Sequence, residues 1–75
     1  MCYAIPARVV EKRGDMGVVD FGNGVRREAL LGLVDAKVGD YVLVHAGYAI
    51  KVIDEESALE ILREFEEVLR LAEEG

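Results

Sequence analysis

Two side chains in this 75-residue chain have the chemistry to hold a soft metal, the thiol of Cys2 and the imidazole of His45. Each is the only residue of its type in the sequence. A cysteine thiolate is a soft ligand suited to iron, copper or zinc. If Met1 is removed, the Cys2 thiol lies beside a free α-amine at the start of the chain. The simpler alternative for Cys2 is an inert residue on a frayed terminus.

His45 follows the most apolar run of the sequence and precedes Ala46 and Gly47. A neutral imidazole there could bind a metal or hold a proton, and the alternative is a histidine that is simply hydrogen-bonded near the core. A structural zinc site needs four protein ligands and a catalytic one usually has three. Two good ligands therefore favour a carrier that shares its metal with a second protein and then releases it.

Catalytic interpretations of the same residues find less support. A Cys–His pair could act as nucleophile and base, but no motif supplies the third orienting group or an oxyanion site. The segments 22–24 and 38–40 are glycine-containing, yet neither precedes the helix, lysine and hydroxyl residue that a phosphate-binding loop requires. A domain of this length also has little room for a substrate pocket. We therefore predict that the protein is not an enzyme.

The composition of the chain bears on the partners that the protein can bind and on its location in the cell. The formal net charge of −6 opposes binding to nucleic acid and to anionic membranes. A single cysteine forms no internal disulfide, the start of the chain lacks a signal-peptide pattern, and no apolar segment has the length of a membrane helix. We predict a cytoplasmic protein. The hydrophobic fraction of 52 % leaves open whether the surface carries an apolar partner patch or scattered apolar residues.

Turn residues divide the first two-thirds of the chain into short strands. Asn23-Gly24 is the strongest of these turn patterns and predicts a hairpin, while Pro6 favours an extended chain at Ile5. The predicted strands are Ala7–Lys12, entered through this extended segment, and then Met16–Phe21, Val25–Leu30, Tyr41–Val44 and Tyr48–Ile53. Five short strands predict a mainly β fold, a small OB-like five-stranded barrel that leaves no exposed edges when closed.

From Asp54 onward the apolar residues recur every three or four positions, which predicts an amphipathic helix. Asp54 and Ser57 are both candidate N-caps, and Ser57 to Glu60 has the capping-box pattern. The acidic residues of this helix are interpreted as a solvated face. We expect the barrel of residues 1–53 and the helix of residues 54–75 to form a single domain.

The opening residues Met1–Val10 resemble those of the HypC/HupF family, the accessory chaperones of nickel–iron hydrogenase maturation. A second block, Val38–Ile50, and the intervening Val19–Gly22 with Arg26 and Arg27 also resemble the family. The resemblance covers essentially the whole chain. It departs from the family at Tyr3, where many members carry a smaller or aliphatic residue, and at Tyr48, where phenylalanine is common.

The resemblance implies an OB-like barrel with a C-terminal helix and no catalysis. Family members bind the scaffold protein HypD, help to assemble an iron centre carrying cyanide and carbon monoxide, and bring it to the precursor of the hydrogenase large subunit. The family's motif cysteine and histidine correspond to Cys2 and His45. We therefore expect these two residues to hold the iron fragment as transient cargo, with no permanently bound cofactor. The residues expected to contact the partner are Cys2, Tyr3, Ile5 and Pro6.

Two alternatives stay open at this point. The first is an OB-type nucleic-acid-binding module, which needs basic and aromatic residues on one face. Its candidate residues are Arg8, Arg26 and Arg27, with Tyr41 or Tyr48 nearby. The second is a structural adaptor in which Cys2 has no role.

Overall fold

Five strands and one helix follow each other in the predicted order. The computed structural model describes residues 4–74, and the side chains of residues 4–68. Its elements are β1 (Ile5–Arg13), β2 (Met16–Asp20), β3 (Arg26–Leu30), β4 (Tyr41–His45), β5 (Tyr48–Ile53) and α1 (Glu55–Glu74). The first strand is longer than predicted and includes the extended segment that contains Pro6.

The strands form a closed barrel in the order β1-β2-β3-β5-β4. All neighbouring pairs are antiparallel except β3 and β5, which run parallel and meet where Leu30 lies opposite Tyr48. The barrel closes between β1 and β4, where Ile5 lies opposite Val44. The predicted five-stranded barrel with a C-terminal helix is confirmed.

The long strand β1 joins the two sides of the barrel. Its first half pairs with β4 and its second half with β2, and Arg8 lies opposite both Tyr41 and Asp20. The pairing with β2 shifts register between Val9 and Glu11. Because a bulge bends a strand and increases its twist, this irregularity lets a single strand serve both neighbours.

The core consists of small and β-branched residues that fill a narrow barrel. Leu31 and Ala36, from the connection between β3 and β4, are also fully buried. The amide of Leu31 donates to the carbonyl of Asp15, and the Lys12 ammonium donates to the carbonyl of Ala36 at 2.7 Å. This connection therefore packs into the fold, although it has no regular structure. The buried core residues are Ala7, Val9, Val19, Ala29, Leu31, Ala36, Val42, Val44 and Ala49.

Two hairpin turns contain residues with a left-handed backbone. Asn23 and Gly24 have φ of 54° and 77°, and the amide of Val25 donates to the carbonyl of Gly22 at 3.0 Å. These values fit the predicted hairpin turn. Ala46 and Gly47 form the second turn, with φ of 51° and 85°. For an alanine this conformation costs about 1–2 kcal/mol, and the sequence indicated only an interruption at Gly47.

Helix α1 begins at Glu55, and Asp54 is its N-cap. The amide of Ser57 donates to Oδ1 of Asp54 at 2.7 Å, and the amide of Ala58 donates to the Asp54 carbonyl. Of the two candidate caps Asp54 is therefore the one used. The predicted capping box starting at Ser57 is wrong, because Ser57 already lies in the first turn of the helix.

The helix packs its apolar face on β1 and β4. Ala58 is fully buried, and Ile61, Leu62 and Phe65 are half-buried.

Within the described residues, no helix has the length and hydropathy that a membrane span requires.

The Asp54 cap makes the helix sensitive to acid. The hydrogen bonds from Ser57 lower the pKa of the Asp54 carboxyl below its ordinary value of 3.8. A carboxyl whose pKa is lower in the folded state stabilises the fold above its unfolded pKa, and this stabilisation is lost as the pH falls through the folded pKa. The free energy of unfolding of the wild type, measured by urea denaturation, should therefore fall below pH 3.8 relative to that of Asp54→Asn. Asparagine also caps helices but does not titrate, so a constant difference between the two proteins would contradict this role.

Candidate functional site

His45 is the last residue of β4 and lies at the tip of the β4–β5 hairpin. Its partner across the hairpin is Tyr48, and only Ala46 and Gly47 separate the two residues. The amide of Leu30 donates to the carbonyl of Gly47 at 2.9 Å, which ties the turn to β3. His45 is half-buried, while Tyr48 is exposed. The imidazole thus lies on a short, well-anchored turn at one end of the barrel.

The start of β1 lies at this same end of the barrel. Ile5 is opposite Val44, and one residue further along each strand come Ala4 and His45. Ile5 is 40 % exposed, whereas Pro6 is fully buried. Of the two predicted partner contacts on β1, Ile5 is therefore the one with an exposed side chain. Pro6 contributes through packing and through its fixed φ.

Cys2 and Tyr3 lie outside the described residues, so their roles stay predictions. Among the side chains described, those of residues 4–68, no three histidine, cysteine, aspartate or glutamate residues form a group able to hold a metal ion. His45 is the predicted ligand that the structure describes.

Exposed apolar side chains lie on both strands next to β4, at the end of the barrel where His45 lies. Strand β4 lies between β1 and β5. Tyr48 on β5 lies opposite His45, and Ile5 on β1 lies opposite the preceding residue of β4, Val44. Ile50, the extra residue where the β4–β5 register shifts, is 48 % exposed. Ile50 was not among the predicted site residues. Its apolar character within a predicted strand gave no indication of exposure, because that depends on the bulge.

The basic residues of the alternative nucleic-acid hypothesis lie around an acidic one. Arg8 and Arg26 both lie opposite Asp20, and Nε of Arg26 is 3.3 Å from Oδ2 of Asp20. The Arg27 guanidinium donates to the carbonyl of Arg26. Binding to nucleic acid depends on unneutralised positive charge facing the phosphates, and the Asp20 carboxylate reduces that charge.

Comparison with known proteins identifies the family. The sequence model of the HupF/HypC family matches residues 1–65. The chain belongs to the HupF/HypC family. The part of this HupF/HypC protein that matches the family contains both predicted ligands, the whole barrel and the first half of α1. The family resemblance seen in the sequence is therefore confirmed.

Several relatives of this HupF/HypC protein bear the name hydrogenase maturation factor HypC. The one from Cupriavidus necator is 56 % identical over 73 residues, covering 95 % of this chain and 80 % of the relative. The one from Helicobacter hepaticus is 52 % identical over 77 residues, covering 99 % and 88 %. The one from Synechocystis is 39 % identical over 74 residues, covering 91 % and 97 %.

Proposed function

We propose that this protein is a hydrogenase maturation chaperone. It receives an iron fragment carrying cyanide and carbon monoxide on a HypD-type scaffold protein and delivers it, without catalysis of its own, to the precursor of the nickel–iron hydrogenase large subunit. The observation that carries this proposal is the family match over residues 1–65, together with relatives named as maturation factors that are 52–56 % identical over nearly the whole chain. We place this function in the cytoplasm.

The proposed iron ligand is the Cys2 thiolate, with His45 as a second ligand or as a hydrogen-bond partner of the sulfur. Support comes from the path of β1. The register of β1 and β4 places Ile5 opposite Val44, and Ala4 and His45 are the next residues of the two segments beyond this pair. Cys2 is two residues before Ala4, and a chain spans at most about 3.3–3.6 Å per residue. This short connection keeps the thiol within reach of the β4–β5 hairpin.

The small number of protein ligands suits transfer. Cyanide and carbon monoxide already occupy part of the iron coordination sphere, so the fragment needs few donors from its carrier. A permanent structural site needs about four protein ligands. Cys2 and His45 together leave positions for the scaffold on one side of the transfer and for the large-subunit precursor on the other. The partner completes the coordination and takes the fragment away.

The partner-facing surface surrounds this pair of ligands. Ile5 on β1 and Tyr48 on β5 are exposed at the end of the barrel where His45 lies, and Cys2 and Tyr3 are proposed to extend this surface along the chain. Exposed apolar side chains grouped on one part of a surface are typical of protein–protein contacts. We therefore propose that the partner covers the ligands while the iron is exchanged, which excludes water from it.

Deletion of the gene tests the proposal. The deletion strain should lose nickel–iron hydrogenase activity and accumulate the unprocessed large-subunit precursor, and the same chain supplied from a plasmid should restore both. A strain that keeps full hydrogenase activity without this gene would refute the maturation role.

Substitution of His45 tests the second ligand. His45→Ala should lower the iron content of the protein co-purified with its scaffold by about 10- to 100-fold, since loss of a group that supports a metal ligand has effects of this size. Tyr48→Phe is the matched control on the facing strand, because it keeps the ring and removes only the hydroxyl. Equal iron content in His45→Ala and the control would show that His45 is not part of the site.

A further inference from the structure

A second surface lies at the opposite end of β4 from His45. A groove of about 350 Å³ runs between α1 and the hairpin that joins β2 to β3. Tyr41, which lines this groove, is four residues before His45 in the same strand. At about 3.3 Å per residue, the groove is about 13 Å from the His45 hairpin. It is therefore separate from the proposed iron site.

The floor of the groove is apolar. Phe21 from the hairpin, Tyr41 from β4, and Leu59 and Leu62 from α1 line it. Leu59 is 45 % exposed and the other three are half-buried. Ala58, the neighbour of Leu59, is fully buried against the barrel. The helix thus packs one apolar row, which contains Ala58, against the barrel. Its second apolar row, Leu59 and Leu62, lies beside the aromatic rings and is accessible to a ligand.

Charge is divided unevenly between the barrel and the helical segment. Residues 1–54 carry seven basic and seven acidic side chains and are neutral overall. Residues 55–75 carry two arginines and eight glutamates. The whole formal net charge of −6 therefore lies on the segment that forms one wall of the groove. Such a one-sided field attracts basic ligands and repels acidic ones.

Acidic residues also predominate close to the groove. On the helix, Glu55 and Glu56 are one turn before Leu59, and Glu66 is one turn after Leu62. The basic residues on or near the groove are Arg8, which lines it, Arg26, which is paired with Asp20, and Arg63 on the helix. Arg8 also lines a neighbouring depression together with Asp40, Asp54 and Glu55, so three acidic residues lie near it.

We propose that this groove docks a segment of a partner protein that combines apolar side chains with basic ones. The apolar side chains would fill the space between Phe21, Leu59 and Leu62, and the basic ones would meet the glutamates of α1. Neither Cys2 nor His45 takes part, so the inference goes beyond the proposed iron transfer. The groove would thus be a second contact surface. It would hold a partner while the iron fragment is exchanged at the Cys2 and His45 site.

Three synthetic peptides test the proposal by NMR titration of the ¹⁵N-labelled full chain. One alternates leucine and lysine, the second has glutamate in place of lysine, and the third has serine in place of leucine. Only the first should bind, with chemical-shift changes centred on Phe21, Tyr41, Leu59 and Leu62. Its affinity should fall as salt is added, because salt screens exposed charges.

Two leucine variants make the test specific. Leu59→Ser should weaken binding of the leucine–lysine peptide about tenfold, the effect of losing one apolar side-chain contact. Leu33→Ser, at an exposed leucine outside the groove, should leave it unchanged.

Three outcomes would overturn the proposal. They are equal binding of the serine–lysine peptide, shift changes that do not depend on Leu59, and shifts at the groove residues that depend on protein concentration without peptide. The last would assign the groove to a second copy of the chain. All three leave the gene-deletion result for hydrogenase maturation unaffected, so the two proposals fail independently.

Discussion

Replacing Cys2 with alanine is expected to abolish hydrogenase maturation without unfolding the protein. The chain has one cysteine, so no other side chain offers a thiolate to iron. Loss even of a group that only supports a metal ligand costs about 10- to 100-fold, so loss of the ligand itself should lower hydrogenase activity by about 100-fold or more. The buried core lies between Ala7 and Ala49, and the thermal unfolding midpoint should therefore stay close to that of the wild type.

The Cys2→Ser variant tests whether the function needs the metal-binding chemistry of the sulfur or only a side chain of its size. Serine has nearly the same shape as cysteine but offers a hard oxygen that is not deprotonated at neutral pH, so it should fail as fully as alanine. Hydrogenase activity in the complemented deletion strain measures both variants. Normal activity with Cys2→Ser would support the structural adaptor, in which Cys2 has no role.

A methyl group added at Gly17 should strongly destabilise the fold. Gly17 is buried in β2, and a Cβ there would lie 2.5 Å from the backbone oxygen of Glu11 and would overlap Cδ1 of Leu31. The Glu11 oxygen belongs to the bulged part of β1, so the barrel itself must shift to relieve the contact. Overpacking of this kind costs about 3 kcal/mol. A chain of this length has about 4–11 kcal/mol in total at 0.05–0.15 kcal/mol per residue, and Gly17→Ala should remove a large share of it.

Gly32→Ala is the matched control for this substitution. The three atoms nearest to its added Cβ all belong to the exposed side chain of Asp15, the closest at 3.1 Å, and a shift of this side chain by a few tenths of an ångström relieves the contact. Urea denaturation should give nearly the wild-type free energy of unfolding for Gly32→Ala and a much lower one for Gly17→Ala. Equal values for the two variants would contradict the packing of Leu31 over Gly17.

The barrel could be predicted because its strands are separated by local patterns. Asn23-Gly24 needs no tertiary contact to favour a hairpin, since both residues accept a left-handed backbone. The switch to a three- and four-residue period after Asp54 marks the helix in the same way. Ala46 shows the limit of such arguments, because alanine resists the conformation that the β4–β5 turn imposes on it. There the surrounding hairpin overrides the local preference.

Features that depend on packing between distant segments could not be predicted. The bulge in β1 arises because one strand must pair with both β2 and β4. Of the two predicted partner contacts on β1, Ile5 is exposed and Pro6 is buried, although isoleucine is in general the more often buried of the two residue types. The groove beside Leu59 exists only because α1 lies against the barrel next to the β2–β3 hairpin.

The sequence indicates the chemistry that is proposed for the candidate site, but only part of the site's geometry. Cys2 and His45 stand out because each is the only residue of its type, and the resemblance to a chaperone family gave both a role. The sequence did not indicate that His45 lies opposite Tyr48 on a strained turn, or that β1 starts beside it. These placements come from the register of β4 with its two neighbours.

Iron analysis of the protein co-purified with its HypD-type scaffold is the sharpest test of whether Cys2 carries the iron fragment. The wild-type complex should contain iron and show the infrared bands of bound cyanide and carbon monoxide. The Cys2→Ala protein, purified in the same way, should lack this iron or fail to retain the scaffold. A Cys2→Ala complex with the full iron content and the same infrared bands would contradict the account.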